Sequence, residues 1–291
     1  MQIDKRVGNL CFNEENHKYW NEETNTPYTS VTTLIESYGQ PFDKEFWSAY
    51  KALERLMDSS IWNLEKKNLL STKKFNKELL DLYDISESDF NKAQQDILDE
   101  WEKKNVEACE RGTKIHAKLE EAVLGHKKEF SLNKFGVGGK FICKGSDYHE
   151  LNLEAGAYPE YMIGREITPG LFGISGQVDL LLKKGSKIII IDYKTNSEIK
   201  TKSYYDSKTK TSQKMLYPLN NLDDTNYWHY NLQLSTYAWI IQQYHPELEV
   251  EDLILVHFRP DGKQDIYHLE YLKAEVEKMI KHYTKKLLHE N

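Results

Sequence analysis

The 291-residue sequence has only three cysteines, Cys11, Cys109 and Cys143, and they lie far apart. An odd, scattered set cannot form a disulfide framework or fill the four positions of a cysteine-held zinc or iron–sulfur centre, so each reads as a free thiol. Long apolar runs are also missing. None approaches the roughly 18 residues that a membrane-spanning helix needs, and Met1-Gln2-Ile3-Asp4-Lys5-Arg6-Val7 lacks the apolar stretch of a secretory signal. A soluble, cytoplasmic chain without a membrane partner is therefore expected. No repeat with a period of roughly 20 to 50 residues and no low-complexity tract is present. The glycine-rich Gly136-Val137-Gly138-Gly139-Lys140 has neither Walker spacing nor a Ser or Thr after its lysine; it reads as a loop, and no nucleotide cofactor is expected. An overall excess of positive charge is lacking too: the net charge is −7, which runs against simple electrostatic attraction to nucleic acid. The imbalance is uneven, however. From Lys183 to Lys214 nine lysines face three acids, Asp192, Glu198 and Asp206, a local excess of six positive charges.

What is present divides by pattern. Leu10-Cys11-Phe12 and His17-Lys18-Tyr19-Trp20 flank a polar turn and predict a short hairpin, after which Ser30 can cap a helix through Val31 to Ile35. From about Asp43 to Gly125 apolar residues recur every three or four positions, among them Phe46, Leu53, Leu56, Trp101, Val106, Ile115, Leu119 and Val123, which predicts helices. After Tyr158 strands take over: Tyr161 to Ile167, Gly176 to Leu182, and Ile188-Ile189-Ile190-Ile191. Four consecutive isoleucines suit a strand covered on both faces. A lysine-rich loop, a helix from about Trp228 to Tyr244, a hairpin of Leu253–Phe258 with Ile266–Leu269, and a closing amphipathic helix follow. The fold class expected is α/β, a mixed central sheet flanked by helices, with an N-terminal helical portion. The boundary falls near residue 125: residues 1–125 hold the hairpin and the helices leading into the first core helix, and residues 126–291 hold the sheet domain.

One constellation carries chemistry. In Ile191-Asp192-Tyr193-Lys194 the buried strand ends in an acid and a lysine two residues apart, so alternation places both on one face. Asp179 lies thirteen residues earlier in the neighbouring strand, and a turn at Gly185-Ser186 would bring the two aspartates together. Paired carboxylates offer hard oxygen ligands to Mg²⁺ or Mn²⁺, and an ammonium beside them can stabilise charge developing on a phosphate. Taken alone, Asp192 and Lys194 could equally be a surface ion pair with Asp179 merely solvated.

The ordered set Gly176-x-x-Asp179, a hydrophobic strand and Asp192-x-Lys194 resembles the PD-(D/E)XK nuclease superfamily, in particular its RecB-like exonuclease branch, and Tyr28-Thr29-Ser30-Val31-Thr32 weakly resembles an N-terminal element of phage-type members. The resemblance covers roughly residues 110 to 245 and implies a restriction-endonuclease-like core. It implies that Asp179, Asp192 and Lys194 are catalytic and that His116, in Arg111-Gly112-Thr113-Lys114-Ile115-His116, joins Asp179, Asp192 and the Tyr193 carbonyl around metal. Gln233 and Tyr237 match a Gln-x-x-x-Tyr signature and would hold substrate DNA; the competing reading is an interhelical packing pair. Glu120, one turn after His116, could position it or be a helix-surface acid. Glu166 resembles an acid found ahead of the Gly-x-x-Asp element, with Glu160 a rival match. The implied activity is divalent-metal-dependent DNA hydrolysis by an exonuclease in recombination, repair or processing, in a host cytoplasm if the chain is phage-encoded. Linear or single-stranded DNA ends would be the partner, with recombination or replication proteins as further partners. A structure-specific endonuclease and a non-catalytic nucleic-acid-binding or virion protein of the same fold remain the alternatives. Residues 40 to 100 match no element that we can name.

Overall fold

Ser30 ends a strand and starts a helix at once: its backbone is extended, and its hydroxyl accepts a hydrogen bond from the Thr33 N–H at 3.1 Å, satisfying one of the free donors of a helix start. A computed structural model describes residues 2–3, 5–75, 77–126, 128–145, 153–206 and 210–290. Its elements are β1 (Lys5–Val7), β2 (Leu10–Asn13), β3 (Lys18–Asn21), β4 (Pro27–Ser30), α1 (Val31–Glu36), α2 (Lys44–Leu56), α3 (Ser59–Thr72), α4 (Glu78–Leu82), α5 (Glu87–Leu124), β5 (Phe130–Leu132), β6 (Val137–Phe141), β7 (Gly156–Thr168), β8 (Phe172–Lys184), β9 (Lys187–Lys194), β10 (Tyr205–Asp206), β11 (Thr211–Ser212), α6 (Asn226–Tyr244), β12 (Glu249–Phe258), β13 (Gln264–Leu269) and α7 (Lys273–Glu290). Lys208, part of the lysine-rich stretch, lies outside the described residues.

The main sheet runs β1-β2-β3-β4-β8-β9-β12-β13, with β7 on β8, and it is mixed, because β4 and β12 pair in parallel with β8 and β9 whereas the other ladders are antiparallel. The isoleucine run occupies β9 as expected. Ile188 and Ile190 point into a core with α1, α6 and α7, while Ile189 and Ile191 point into a second core with β5, β6 and the end of α5. Each buried isoleucine contributes about 1.5–3 kcal/mol relative to exposure, so β9 is fixed from both sides. Helix α6 lies inside the fold, with ten buried residues of which Asn231, Gln233, Ser235 and Thr236 are polar.

Two expectations change. The glycine-rich segment read as a loop is strand β6, started by Gly136 at φ 77° and paired with β5; Phe135, Val137 and Phe141 are buried there, so burial overrides the weak strand propensity of glycine. The chain also divides differently from a cut at 125. One compact unit is Met1–Gln40 with Gly112–Asn291, and the other is Pro41–Arg111; the N-terminal hairpins thus belong with the sheet. The second unit has its own core of Ala49, Ala52, Leu53, Met57, Trp62, Leu69, Leu80 and Phe90, and Asp43 and Asp58 cap α2 and α3 through the N–H groups of Phe46 and Ser60, each at 2.8 Å. No helix among the described residues is long and apolar enough to cross a membrane.

Candidate active site

Gly185, at φ 59°, and Ser186 turn β8 tightly into β9, with Lys184 opposite Lys187. The register that follows sets Leu180 against Ile191, and the next step along the ladder brings Asp179 to the level of Asp192. The Asp179 carboxylate is fixed there: its Oδ2 accepts a hydrogen bond from the Tyr193 N–H at 2.6 Å. On its far edge β8 pairs with β7 along nearly its whole length; on the near edge β4 takes residues 173–175 and β9 takes 180–184. Residues 176–179 fall between these two ladders, so the first aspartate sits where the sheet edge opens.

Four further groups converge on that opening. His116, from α5, places Nε2 at 3.0 Å from the Tyr193 carbonyl, and its Nδ1 lies 3.5 Å from Asp179 Oδ1 and 4.0 Å from Glu160 Oε1. Lys194 Nζ lies 2.8 Å from Asp192 Oδ2, and Asp192 is buried. Glu160 is in β7, flanked by the pairs Pro159–Leu180 and Tyr161–Val178, which puts it level with Asp179. Its φ of 48° is a left-handed conformation that costs a non-glycine residue about 1–2 kcal/mol. Such strain concentrates at functional sites.

The electrostatics show a site short of positive charge. Burial, then the neighbouring Asp179, pushes the Glu160 carboxyl up to about 7. Burial likewise raises Asp192, against the opposing pull of Lys194. Burial disfavours the His116 imidazolium, but the Asp179 hydrogen bond and the charges of Asp179, Asp192 and Glu160 overcome it and lift its pKa to about 9. Lys194 follows the same pattern, burial opposing its charge and Asp192 and Asp179 raising its pKa. Donor atoms of His116, Glu160 and Asp179 all lie within 4.8 Å of one another. Two carboxylates and an imidazole at that spacing fit a divalent cation, which would offset the repulsion that Asp179 exerts on the Glu160 carboxylate.

The sequence pattern is matched here too: a family model described as the PD-(D/E)XK nuclease superfamily fits residues 51–289. The chain belongs to the PD-(D/E)XK nuclease superfamily. Its restriction-endonuclease-like fold is the mixed sheet with flanking helices already described. Among solved structures, similarity extends to the protein SSO0001, at 17% identity over 86% of this chain and 83% of that one with a TM-score of 0.28. It extends also to the "Putative exonuclease" from Eubacterium rectale, at 13% identity over 95% and 85% with a TM-score of 0.34. Both likenesses are too distant to argue from. No curated protein matches.

Within this superfamily member the expected residues separate into three groups. Asp179, Asp192, Lys194, His116 and the Tyr193 carbonyl come together. Gln233 and Tyr237 also reach the site, but from inside the protein: both are buried, Gln233 Nε2 donates to the Tyr237 hydroxyl at 3.0 Å and to Asp192 Oδ1 at 3.4 Å. Tyr237 lies on Gly176, where an added Cβ would stand 2.5 Å from its ring. The expected DNA-holding pair is thus a brace between Gly176 and Asp192, because packing leaves neither side chain facing solvent. Glu120, one turn beyond His116, is close enough for its charge to raise Glu160. Glu166 is elsewhere: Asn21, Thr24 and Thr26 donate to its carboxylate, which ties the N-terminal hairpins to β7. The acid of β7 at the site is Glu160, which the sequence offered only as the rival match.

Proposed function

We propose that the protein is a divalent-metal-dependent deoxyribonuclease of the RecB-like branch, an exonuclease that works from linear or single-stranded DNA ends in recombination, repair or processing. The observation that carries this reading is the convergence of His116, Glu160 and Asp179 beside the Asp192–Lys194 ion pair. His116, Glu160, Asp179 and Asp192 would hold Mg²⁺ or Mn²⁺, the imidazole favouring Mn²⁺ more than an all-oxygen site would. A bound ion supplies Lewis-acid activation of water and neutralises phosphate charge. The chain's own part is electrostatic. Lys194, kept charged by its two aspartates, stabilises the negative charge that builds on the phosphate and orients the attacking water. Asp192 holds that ammonium, and the brace of Gln233 and Tyr237 holds Asp192.

Substrate approach is supported by the segment that follows β9. Tyr204 and Tyr205 are 72% and 58% exposed, near Lys200, Lys202 and Lys210, on the hairpin of β10 and β11. Its base is anchored: Asp223 accepts from Ser212 Oγ at 3.0 Å and Lys214 Nζ at 2.6 Å. Exposed tyrosines among lysines suit stacking of unpaired bases with phosphate neutralisation. The test uses end-labelled linear, circular and single-stranded DNA, and an RNA control, with either metal. The expected result is loss of linear and single-stranded DNA from an end, 5′-phosphate products, and intact circles. Asp192→Asn should lower the rate at least a thousandfold, on the order expected for removing an essential charged group. Cleavage of circles would overturn the exonuclease assignment, and full activity in Asp192→Asn would overturn the site.

A further inference from the structure

Helix α6 presents a third side chain on the stripe that carries Gln233 and Tyr237. Tyr230 stands three residues before Gln233, so it occupies the same helical face one turn earlier. Its ring centre is 4.8 Å from Lys194 Nζ, within the range at which an aromatic face attracts an ammonium. The ring is itself fixed. Its hydroxyl donates to Asn196 Oδ1 at 2.7 Å, and Asn196 is two residues beyond Lys194. The Asn196 carbonyl in turn accepts from His257 Nε2 at 2.7 Å. His257 is 2% exposed and paired in register with Lys194 in the neighbouring strand β12, and its Nδ1 lies 3.6 Å from Asp265 Oδ2. A chain of contacts therefore runs from β12 through the segment after β9 to the aromatic face beneath the lysine.

A lysine side chain has several rotatable bonds and a point charge with no preferred direction. Asp192 draws the ammonium from one side only. A second contact from a different direction is what selects one position for it, and among the described residues the ring of Tyr230 supplies that contact. We infer that Tyr230 is a positioning residue for Lys194, and that Asn196 and His257 hold its ring in place. Tyr230 acts through the ammonium. This inference rests on the nuclease reading for its kinetic consequence but not for its geometric one.

Two measurements test it. With lysine labelled by ¹³C at Cε, the Lys194 resonance is assigned by its loss in Lys194→Arg. In the wild-type protein it should be shifted upfield by the ring current of Tyr230. Tyr230→Leu should abolish that shift, and Tyr230→Phe, which keeps the ring, should retain it. In cleavage assays Tyr230→Leu should lower kcat about tenfold with KM within twofold, Tyr230→Phe should restore kcat to within about threefold of wild type, and Asn196→Ala, at an exposed position with little effect on folding, should lower kcat about threefold; these sizes correspond to contacts of modest energy. An unshifted Lys194 resonance overturns the inference, as does an unchanged kcat in a folded Tyr230→Leu protein. If wild-type protein cleaves no nucleic acid, the nuclease reading fails, and the resonance still decides whether Tyr230 holds Lys194.

Discussion

Gly176 is the residue on which two separate sequence signatures meet. In the sequence it opens Gly-x-x-Asp and Tyr237 closes Gln-x-x-x-Tyr; in the fold the tyrosine ring lies where a side chain at 176 would be. Gly176→Ala would place a Cβ 2.5 Å from Tyr237 Cε1, and since that ring is buried it has little room to retreat. Overpacking of this kind costs about 1–3 kcal/mol, so the melting temperature should fall by several degrees, and activity should fall with it because Tyr237 and Gln233 hold Asp192. Tyr237→Ala removes the clash, so the double variant should lose less stability than the two single losses summed. Simple addition in that cycle would contradict the contact. Single residues were legible unevenly. Asp179, Asp192 and Lys194 could be read because a two-residue turn fixes their register and the ladder does the rest. Glu160 and Glu166 could not be told apart, for they are six residues apart in one strand with the same parity. Only the pairing of β7 with β8 sets Glu160 level with Asp179 and Glu166 level with Gly173.

Elements explain why parity alone was insufficient. Along β7 both Tyr158 and Tyr161 face the same core although they are three residues apart, and along β8 Val178 and Leu181 do likewise. Alternation therefore slips in both strands at the level of Glu160 and Asp179, and the left-handed backbone of Glu160 lies at the slip. A sequence pattern carries no sign of such a break, whereas the uniform burial of β9 and the stripe of α6 follow directly from it. The distortion has a measurable cost. Glu160→Gly should stabilise the protein by about 1 kcal/mol, the left-handed penalty less the added freedom of the unfolded chain, and it also removes a carboxylate repelled by Asp179. The same substitution should weaken Mn²⁺ or Mg²⁺ binding. In thermal melts the wild-type protein should gain about 2.7 kcal/mol at a hundredfold excess of metal over its dissociation constant, and the variant should start higher and gain less. A variant that is both less stable and equally responsive to metal would refute a strained ligand.

At the scale of the whole molecule the difficulty is charge. A chain of net charge −7 is repelled by a polyanion at long range, so binding must rest on local cations felt within about 8–10 Å at ordinary ionic strength. Overall composition points away from nucleic acid, and the division of the chain into Pro41–Arg111 and the remainder was hidden as well, because the boundary after Arg111 falls inside the single helix α5, where no loop marks it. The lysines after β9 were visible in the sequence, but not that Asp223 anchors the hairpin that follows Lys200 and Lys202. If Lys200 and Lys202 each neutralise a phosphate, replacing both with alanine in the inactive Asp192→Asn background should weaken single-stranded DNA binding about equally for all sequences. The slope of log affinity against log salt should become shallower by about 0.7 per lysine, the value expected for counterion release from single strands. An unchanged slope would mean that these lysines are merely solvated, and the acidic molecule would then have to hold DNA through its metal site and the stacking of Tyr204 and Tyr205, which predicts binding that is nearly independent of salt and lost on removal of the metal or of the two rings.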